Sequence, residues 1–118
     1  MCYKVGIFVI QNNCILLDTK SKNMNSMYNI PVWDLEKGSF PIELVNRKLK
    51  NNLGLENTTK KYIEMVKKNG EKVYLYLIGN VDICKLNRDR RYIWVHKSVL
   101  MMKPNYIPFE WKYVEKMF

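Results

Sequence analysis

The sequence predicts an α/β fold, in which short strands and a few helices share one core. Short aliphatic and β-branched runs, of which Tyr3 to Ile10 is the first, alternate with polar turns, as is typical of strands. Between them, residues 41–53 carry apolar side chains at helical spacing. At 118 residues and 47% hydrophobic content, the chain is predicted to form a single domain over residues 1–118.

The strands and the remaining helices are predicted from the apolar runs and from the polar turns that separate them. Five segments predict strands, at residues 3–10, 14–18, 58–66, 73–81 and 92–95. The first is apolar throughout and predicts burial on both faces of a sheet. Two hairpins are predicted, the first through the short polar turn Gln11-Asn12-Asn13 and the second through the dipeptide Asn69-Gly70, which is a strong turn signal. Polar segments 19–29 and 82–91 predict exposed loops, and segments 98–102 and 108–118 predict helices.

The helix over residues 41–53 is the element with the clearest start and stop signals. Ser39 is a suitable N-cap, and Pro41 fits the first turn, where its missing N–H costs nothing. Gly54 is predicted to be the left-handed residue that ends the helix. Residues 30–38, which precede the helix, are predicted to form a tight loop. Helical spacing predicts that four side chains face the core, namely Ile42, Val45, Leu49 and Leu53.

The chain is strongly basic, with 20 Lys and Arg against 11 Asp and Glu and a net charge of +9. Such an excess favours salt-sensitive binding to phosphates. The alternative is that the lysines reflect a coding background that also enriches Asn, Ile and Tyr. Both interpretations stay open on the sequence.

The cysteines and the hydropathy pattern are the basis for predicting the cellular location. Cys2, Cys14 and Cys84 are widely spaced and odd in number, which favours reduced thiols over a disulfide framework or zinc site. No apolar run approaches the about 20 residues that a membrane span needs. The chain also starts in a strand-like segment that differs from a signal peptide. We therefore predict a cytoplasmic protein without a membrane partner; the oligomeric state is not predicted.

The segment from Ile30 to Leu55, IPVWDLEKGSFPIELVNRKLKNNLGL, resembles the signature of Nudix hydrolases. That signature is Gly-x5-Glu-x7-Arg-Glu-U-x-Glu-Glu-x-Gly-U, with U aliphatic. The resemblance is carried by Ile30-Pro31, Leu35-Glu36-Lys37-Gly38, Asn46-Arg47-Lys48-Leu49, Leu53-Gly54-Leu55-Glu56 and Tyr92-Ile93-Trp94-Val95. It implies the family's fold over essentially the whole chain, an α/β/α sandwich with a mixed β-sheet between helices.

The chemistry of that family depends on helix carboxylates that hold Mg²⁺ or Mn²⁺. Arg47 matches the motif arginine. The four motif glutamates correspond to Ser39, Lys48, Asn51 and Asn52, and the first motif glycine corresponds to Trp33. A lysine repels a dication and an amide is neutral, so the pattern predicts a pseudoenzyme that is not an enzyme and holds no cofactor or metal.

The same substitutions favour direct contact with phosphate, so the predicted function is a nucleotide- or RNA-binding module. The predicted partner is a nucleotide or RNA, in a ribonucleoprotein such as a ribosome. The candidate ligand and phosphate contacts are Arg47, Lys48, Asn51, Asn52 and Trp33. The candidate nucleic-acid surface consists of Lys60, Lys61, Lys67, Lys68, Arg88, Arg90 and Arg91.

Two alternatives stay open. The first is an unconventional Nudix hydrolase of a nucleoside polyphosphate, such as a dinucleoside polyphosphate or cap-like substrate, which recruits Glu36 or Glu43. The second is a protein-binding remnant with an empty pocket. His96, the single histidine, lacks the partners of a catalytic motif and is interpreted as structural or exposed.

Overall fold

The computed structural model describes residues 3–19, 29–68, 70–81 and 92–102. Within them the elements are β1 (Tyr3–Gln11), β2 (Cys14–Asp18), β3 (Val32–Asp34), α1 (Pro41–Asn51), β4 (Thr59–Lys68), β5 (Glu71–Gly79), β6 (Tyr92–His96) and α2 (Lys97–Met102). None of these helices is long and apolar enough to cross a membrane.

Some predicted segments cannot be compared with the structure. The predicted helix at 108–118 lies outside the described residues, and so do the predicted exposed loops at 19–29 and 82–91 apart from Thr19 and Asn29. The predicted helix at 98–102 is confirmed as α2, which begins one residue earlier.

The six strands form one sheet in the order β4-β5-β1-β2-β6, and β3 pairs along part of β1. β1 runs parallel to β5, and the other pairs are antiparallel. The predicted α/β class with a mixed sheet is therefore confirmed. Because β5 lies next to β1, the start of the chain meets residues from its second half.

Both predicted hairpins form. Asn12 and Asn13 have φ of 53° and 62°, and Gln11 is partnered with Cys14. A two-residue loop in which both residues have left-handed backbone matches the twist of the flanking strands. Asparagine tolerates this backbone conformation. In the second hairpin Lys68 is partnered with Glu71, and Gly70 has φ 78°.

The prediction that residues 30–38 form only a loop was wrong, because β3 lies within them. Val32 pairs with Gly6 and Trp33 with Val5. β2 pairs with β1 only near Gln11, so the backbone of β1 around Gly6 has a free edge that β3 fills. A strand of three residues is too short to show a period of two in the sequence.

Helix α1 buries Val45, Leu49 and Leu53 as predicted, but the prediction for Ile42 was wrong. Ile42 is 39% exposed, whereas Leu44 is 4% exposed. Around the helix axis, Ile42 and Leu44 lie on opposite sides of the buried Val45. Lys48 and Asn52 are half-buried on the Leu44 side. The buried stripe is therefore rotated away from Ile42.

The ends of α1 differ in how well they were predicted. Ser39 is not the N-cap, because Phe40 holds that place with extended backbone, and the described residues supply it no side-chain cap. The Leu44 N–H donates to the Phe40 carbonyl instead, at 3.3 Å. Gly54 has the predicted left-handed φ of 68°, and beyond it the Leu55 N–H donates to the Leu49 carbonyl at 2.8 Å.

The core has two parts, one on each face of the sheet. The face that packs against α1, here called the α1 face, carries Val5, Ile7 and Val9 of β1 together with the buried helix leucines. The opposite face carries a second cluster around Phe8 and Leu75. The prediction that β1 is buried on both faces is confirmed.

Candidate functional site

A cavity of about 230 Å³ opens beside the N-terminal end of α1. It is lined by Tyr3 of β1, Tyr74 of β5, the loop residues 35–39 and Pro41. Three elements that are distant in sequence thus meet at one site. The loop brings a carboxylate at Glu36 and an ammonium at Lys37 to the lining, whose other residues are uncharged.

The two tyrosines of the cavity stack on each other. Their ring centroids are 6.2 Å apart and their planes differ by 16°. The strand register explains the contact, because Tyr3 lies opposite Lys72 and Val5 lies opposite Tyr74 on the parallel pair β1–β5. The Lys72 Nζ also lies 5.6 Å from the Tyr3 ring centroid, within cation–π range. The result is an aromatic wall with a cation beside it.

A second tyrosine pair continues this surface toward β4. The rings of Tyr62 and Tyr76 meet edge to face, with centroids 5.4 Å apart. Burial raises the pKa of the Tyr76 phenol above its ordinary value, and the nearby phenols of Tyr62 and Tyr74 raise it further. Tyr76 is thus a neutral, buried support for the half-exposed Tyr62 ring.

The ion pairs of this region lie away from the cavity. The Lys4 Nζ is 3.3 Å from the Glu71 Oε2 and 3.9 Å from the Asp34 Oδ1. Since Lys4 alternates with Tyr3 and Val5 along β1, these groups lie on the face opposite α1. They tie β1 to both neighbouring strands, and partly exposed pairs of this kind contribute about 0–1 kcal/mol.

The structure does not bring the predicted phosphate-binding residues into this cavity. Lys48 and Asn52 are half-buried on the sheet side of α1, whereas Arg47 and Asn51 are exposed. Among the described residues that line the cavity, none belongs to this set. Trp33 lies on β3 opposite Val5 and packs against the core of the α1 face. Their role in binding stays a prediction.

The predicted nucleic-acid surface is divided by the geometry of β4. Lys60 lies opposite Ile78 and Lys67 lies opposite Lys72, which places both on the α1 face. Lys61 lies opposite Leu77, on the other face. Lys68 is the last residue of β4. The remaining candidates lie outside the described residues, namely Arg88, Arg90 and Arg91.

The residues of α1 do not fit the divalent metal that the family resemblance implies. Magnesium and manganese need charged oxygen ligands, but the predicted ligand positions on α1 hold Lys48, Asn51 and Asn52. Throughout the described ranges, no group of three or more His, Cys, Asp or Glu side chains is placed to hold a metal ion.

Solved structures with the same architecture are known. The chain superposes on a MutT structure from work on Aliivibrio salmonicida and Vibrio cholerae with a TM-score of 0.73, at 16% identity, covering 99% of this chain and 98% of that one. A NUDIX family hydrolase from Clostridium perfringens gives a TM-score of 0.69 at 15% identity, over 89% of this chain and 87% of that one. The chain has the Nudix fold.

A third structure, assigned to the Nudix hydrolase family and from Chromobacterium violaceum, gives a TM-score of 0.58 at 14% identity. The match covers 81% of this chain and 63% of the Chromobacterium chain, so this chain spans less than two thirds of that protein. No family model matches the sequence, and no curated protein matches it.

These comparisons contradict the prediction that the chain is a pseudoenzyme. The structures named above are all Nudix hydrolases or MutT proteins, so the fold found here is that of an enzyme family. The prediction assumed that catalysis requires carboxylates at Lys48, Asn51 and Asn52, whereas a fold can supply catalytic groups from other elements. The correspondence between these residues and the motif glutamates stays a prediction, since such low identity shows the fold alone.

Proposed function

We propose that the chain binds a nucleotide, free or as part of RNA, with a base or sugar in the cavity beside α1. The observation that carries this proposal is the stacked pair of Tyr3 and Tyr74 in the lining, with the Lys72 ammonium 5.6 Å from the Tyr3 ring. An aromatic face stacks any base, for about 1–3 kcal/mol per base.

The size of the cavity supports a small occupant. Its volume of about 230 Å³ is below the roughly 300–1,000 Å³ of pockets that enclose drug-sized ligands. One ring system fits such a space, and the rest of a nucleotide then extends over the surrounding surface. The ligand therefore contacts residues beyond the lining.

The charges around the cavity define an orientation. The Glu36 carboxylate accepts hydrogen bonds from base amino and imino groups but repels phosphate. Lys37 and Lys72 are cations at or beside the lining and attract phosphate as point charges. The proposed ligand thus directs its base toward Glu36 and its phosphates toward a lysine.

The residues of α1 define a different phosphate position. Arg47, Lys48, Asn51 and Asn52 remain proposed contacts for phosphates that extend along the helix, as they would in a longer ligand such as the RNA of a ribonucleoprotein. The variants Lys37→Ala and Lys48→Ala distinguish the phosphate position beside the cavity from the one along α1. The variant that weakens triphosphate binding more than monophosphate binding identifies where the phosphate chain lies.

The proposal is tested by calorimetric titration with ATP, GTP and AMP in the presence of EDTA. Tyr3→Ala is expected to weaken binding about 5- to 150-fold, the equivalent of one lost stacking contact, whereas Tyr3→Phe retains the ring and the affinity. Phe40→Ala is the matched control, because Phe40 is an exposed aromatic outside the lining. Unchanged affinity in Tyr3→Ala, or no binding of any nucleotide, would refute the proposal.

Hydrolysis of a nucleoside polyphosphate is a second candidate function. Two observations favour hydrolysis. The similar structures are named as a NUDIX family hydrolase and a MutT protein. In addition, Glu36 places an exposed carboxylate in the cavity lining. The test is turnover of dinucleoside polyphosphates, nucleoside diphosphate derivatives and capped RNA with Mg²⁺ or Mn²⁺ in the buffer. Activity lost in Glu36→Gln and kept in Glu43→Gln supports it; absence of turnover, or equal turnover in both variants, argues against it.

A further inference from the structure

The sheet carries a tyrosine and lysine surface that extends beyond the cavity. It consists of residues on the α1 face of three adjacent strands, here called the tyrosine strip: Tyr3, Lys60, Tyr62, Lys67, Lys72 and Tyr74. The strip includes both tyrosines of the cavity wall and continues from there to β4, the outermost strand on this side of the described sheet.

The rings of the strip are held in place by their neighbours. Tyr3 stacks on Tyr74, and Tyr62 packs edge to face on the buried Tyr76. Tyr62 is nevertheless 50% exposed and Tyr3 37% exposed. The strip therefore presents aromatic surface to solvent on a rigid support, which lowers the entropic cost of stacking a ligand on it.

Within the described ranges, the cations of the strip form no ion pair with a carboxylate on their own face. Lys67 lies directly opposite Lys72, a pairing of like charges that destabilises a sheet. Glu64 and Glu71 belong to the same hairpin but lie on the opposite face, where Glu71 pairs with Lys4. Among the described residues, the carboxylates form no ion pair with Lys67 or Lys72. This arrangement is complementary to an anionic ligand.

The dimensions of the strip exceed one base. Neighbouring strands are about 4.8 Å apart, so β4 and β1 are separated by roughly 10 Å across β5. Tyr62 is level with Tyr76 and with Ile7, which is four residues along β1 from Tyr3, and this offset adds roughly 13 Å along the strands. Tyr62 and Tyr3 are therefore roughly 17 Å apart, a distance that about five stacked bases span at about 3.4 Å each. A mononucleotide fills only the cavity end of this surface.

We propose that the tyrosine strip binds single-stranded nucleic acid, whose bases stack on Tyr62 and Tyr3 while its phosphates contact Lys60, Lys67 and Lys72. This inference rests on the proposed nucleotide site, because the cavity holds one base of the same strand. A duplex conceals the faces of its bases in its own stack, so the exposed rings select a single strand. The same chemistry applies to RNA and to DNA.

The test is fluorescence anisotropy with labelled oligo(U) and oligo(dT) of about eight nucleotides, a labelled duplex, and UMP as a competitor. The oligonucleotides are expected to bind at least about tenfold more tightly than UMP and than the duplex, since more bases stack and more phosphates are contacted. Tyr62→Ala is expected to weaken oligonucleotide binding about 5- to 150-fold and to leave UMP binding unchanged. Tyr62→Phe retains the ring and the affinity.

The lysines are tested with a matched pair on one strand. Lys67→Ala is expected to weaken oligonucleotide binding and to reduce the slope of log affinity against log salt by about 0.7, the value for one lost phosphate contact with a single strand. Lys61→Ala, on the opposite face of β4, is expected to change the slope by less.

The outcomes separate this inference from the proposed function. If UMP binds and oligonucleotides bind no more tightly, the strip proposal is overturned and the nucleotide site stands. Equal binding of the duplex, or full oligonucleotide affinity in folded Tyr62→Ala, also overturns the strip. If neither UMP nor any oligonucleotide binds, the proposed function itself is overturned.

Discussion

Tyr3 stacks on Tyr74, with ring centroids 6.2 Å apart, although the two residues lie on strands that are distant in sequence. The contact exists because β1 and β5 run parallel side by side and place both rings on the α1 face. The same pair lines the cavity at the start of α1. The site is thus built by the pairing of distant strands as much as by the helix and loop that follow β3.

The orientation of α1 is tested by two alanine substitutions near its start. Leu44→Ala is expected to lower the free energy of unfolding by about 2–5 kcal/mol, because Leu44 is buried in the core. Ile42→Ala is expected to cost less than about 1 kcal/mol, because its side chain is already 39% exposed. Urea unfolding of both variants measures the difference, and equal losses would contradict the described rotation of the helix.

The end of α1 gives a second stability prediction. Gly54 has φ 68°, a conformation in which a Cβ atom costs about 1–2 kcal/mol. Gly54→Ala is expected to lose about that amount, and Gly54→Asn less, because asparagine tolerates left-handed backbone. Thermal unfolding of the two variants tests this order. Similar losses would indicate that the backbone conformation is not what requires glycine here.

The buried phenol of Tyr76 predicts a dependence of stability on alkaline pH. Its pKa is raised by burial, so above about pH 10 an unfolded chain loses this proton while the folded chain keeps it. Stability therefore falls as the pH rises from the ordinary pKa of tyrosine through the raised value. Tyr76→Phe removes this contribution, and its stability should fall less steeply over the same range. Tyr3→Phe is the control and should keep the steeper fall in urea titrations between pH 9 and 11.

The correspondence with the motif glutamates is tested by putting carboxylates back. A variant with Lys48→Glu, Asn51→Glu and Asn52→Glu is expected to gain affinity for Mn²⁺, because it replaces a cation and two amides with three anionic ligands on one helix. Calorimetric titration with Mn²⁺ measures the gain. The control is a variant with Lys50→Glu and Asn46→Glu, which adds charge at exposed positions of α1 outside the predicted ligand set. Equal affinity in the two variants would mean that the motif positions are assigned wrongly.

Much of the fold could be predicted from local sequence signals. Turns are specified by a few residues, so both hairpins and the stop at Gly54 were predicted correctly. The helix was also placed correctly. Its rotation was not. The helical period placed Ile42 on the face of Leu49, seven residues later, and Leu44 outside that face, so only packing against the sheet shows that Leu44 is buried and Ile42 is exposed.

The candidate site was less predictable, because its partners are not neighbours in sequence. The alternation of Tyr74 and Tyr76 with aliphatic residues is typical of a strand with one partly solvated face, but no local signal indicates that Tyr3 stacks on that face. The motif positions of α1 predicted Lys48 as a phosphate contact and gave no signal for Lys37. The cavity instead includes the loop before the helix, with Lys37 in its lining.

The proposed function depends on the stacking of a base beside Tyr3 and Tyr74. It is tested most directly by ¹H–¹³C spectra of the tyrosine rings during titration with AMP in the presence of EDTA. A stacked base shifts the ring protons of both residues through its ring current, so large, saturable shifts are expected at Tyr3 and Tyr74, and little change is expected at Tyr62, which lies outside the cavity lining. Tyrosine signals that stay in place at saturating AMP, or backbone shifts confined to Arg47, Lys48 and Asn51, would contradict it.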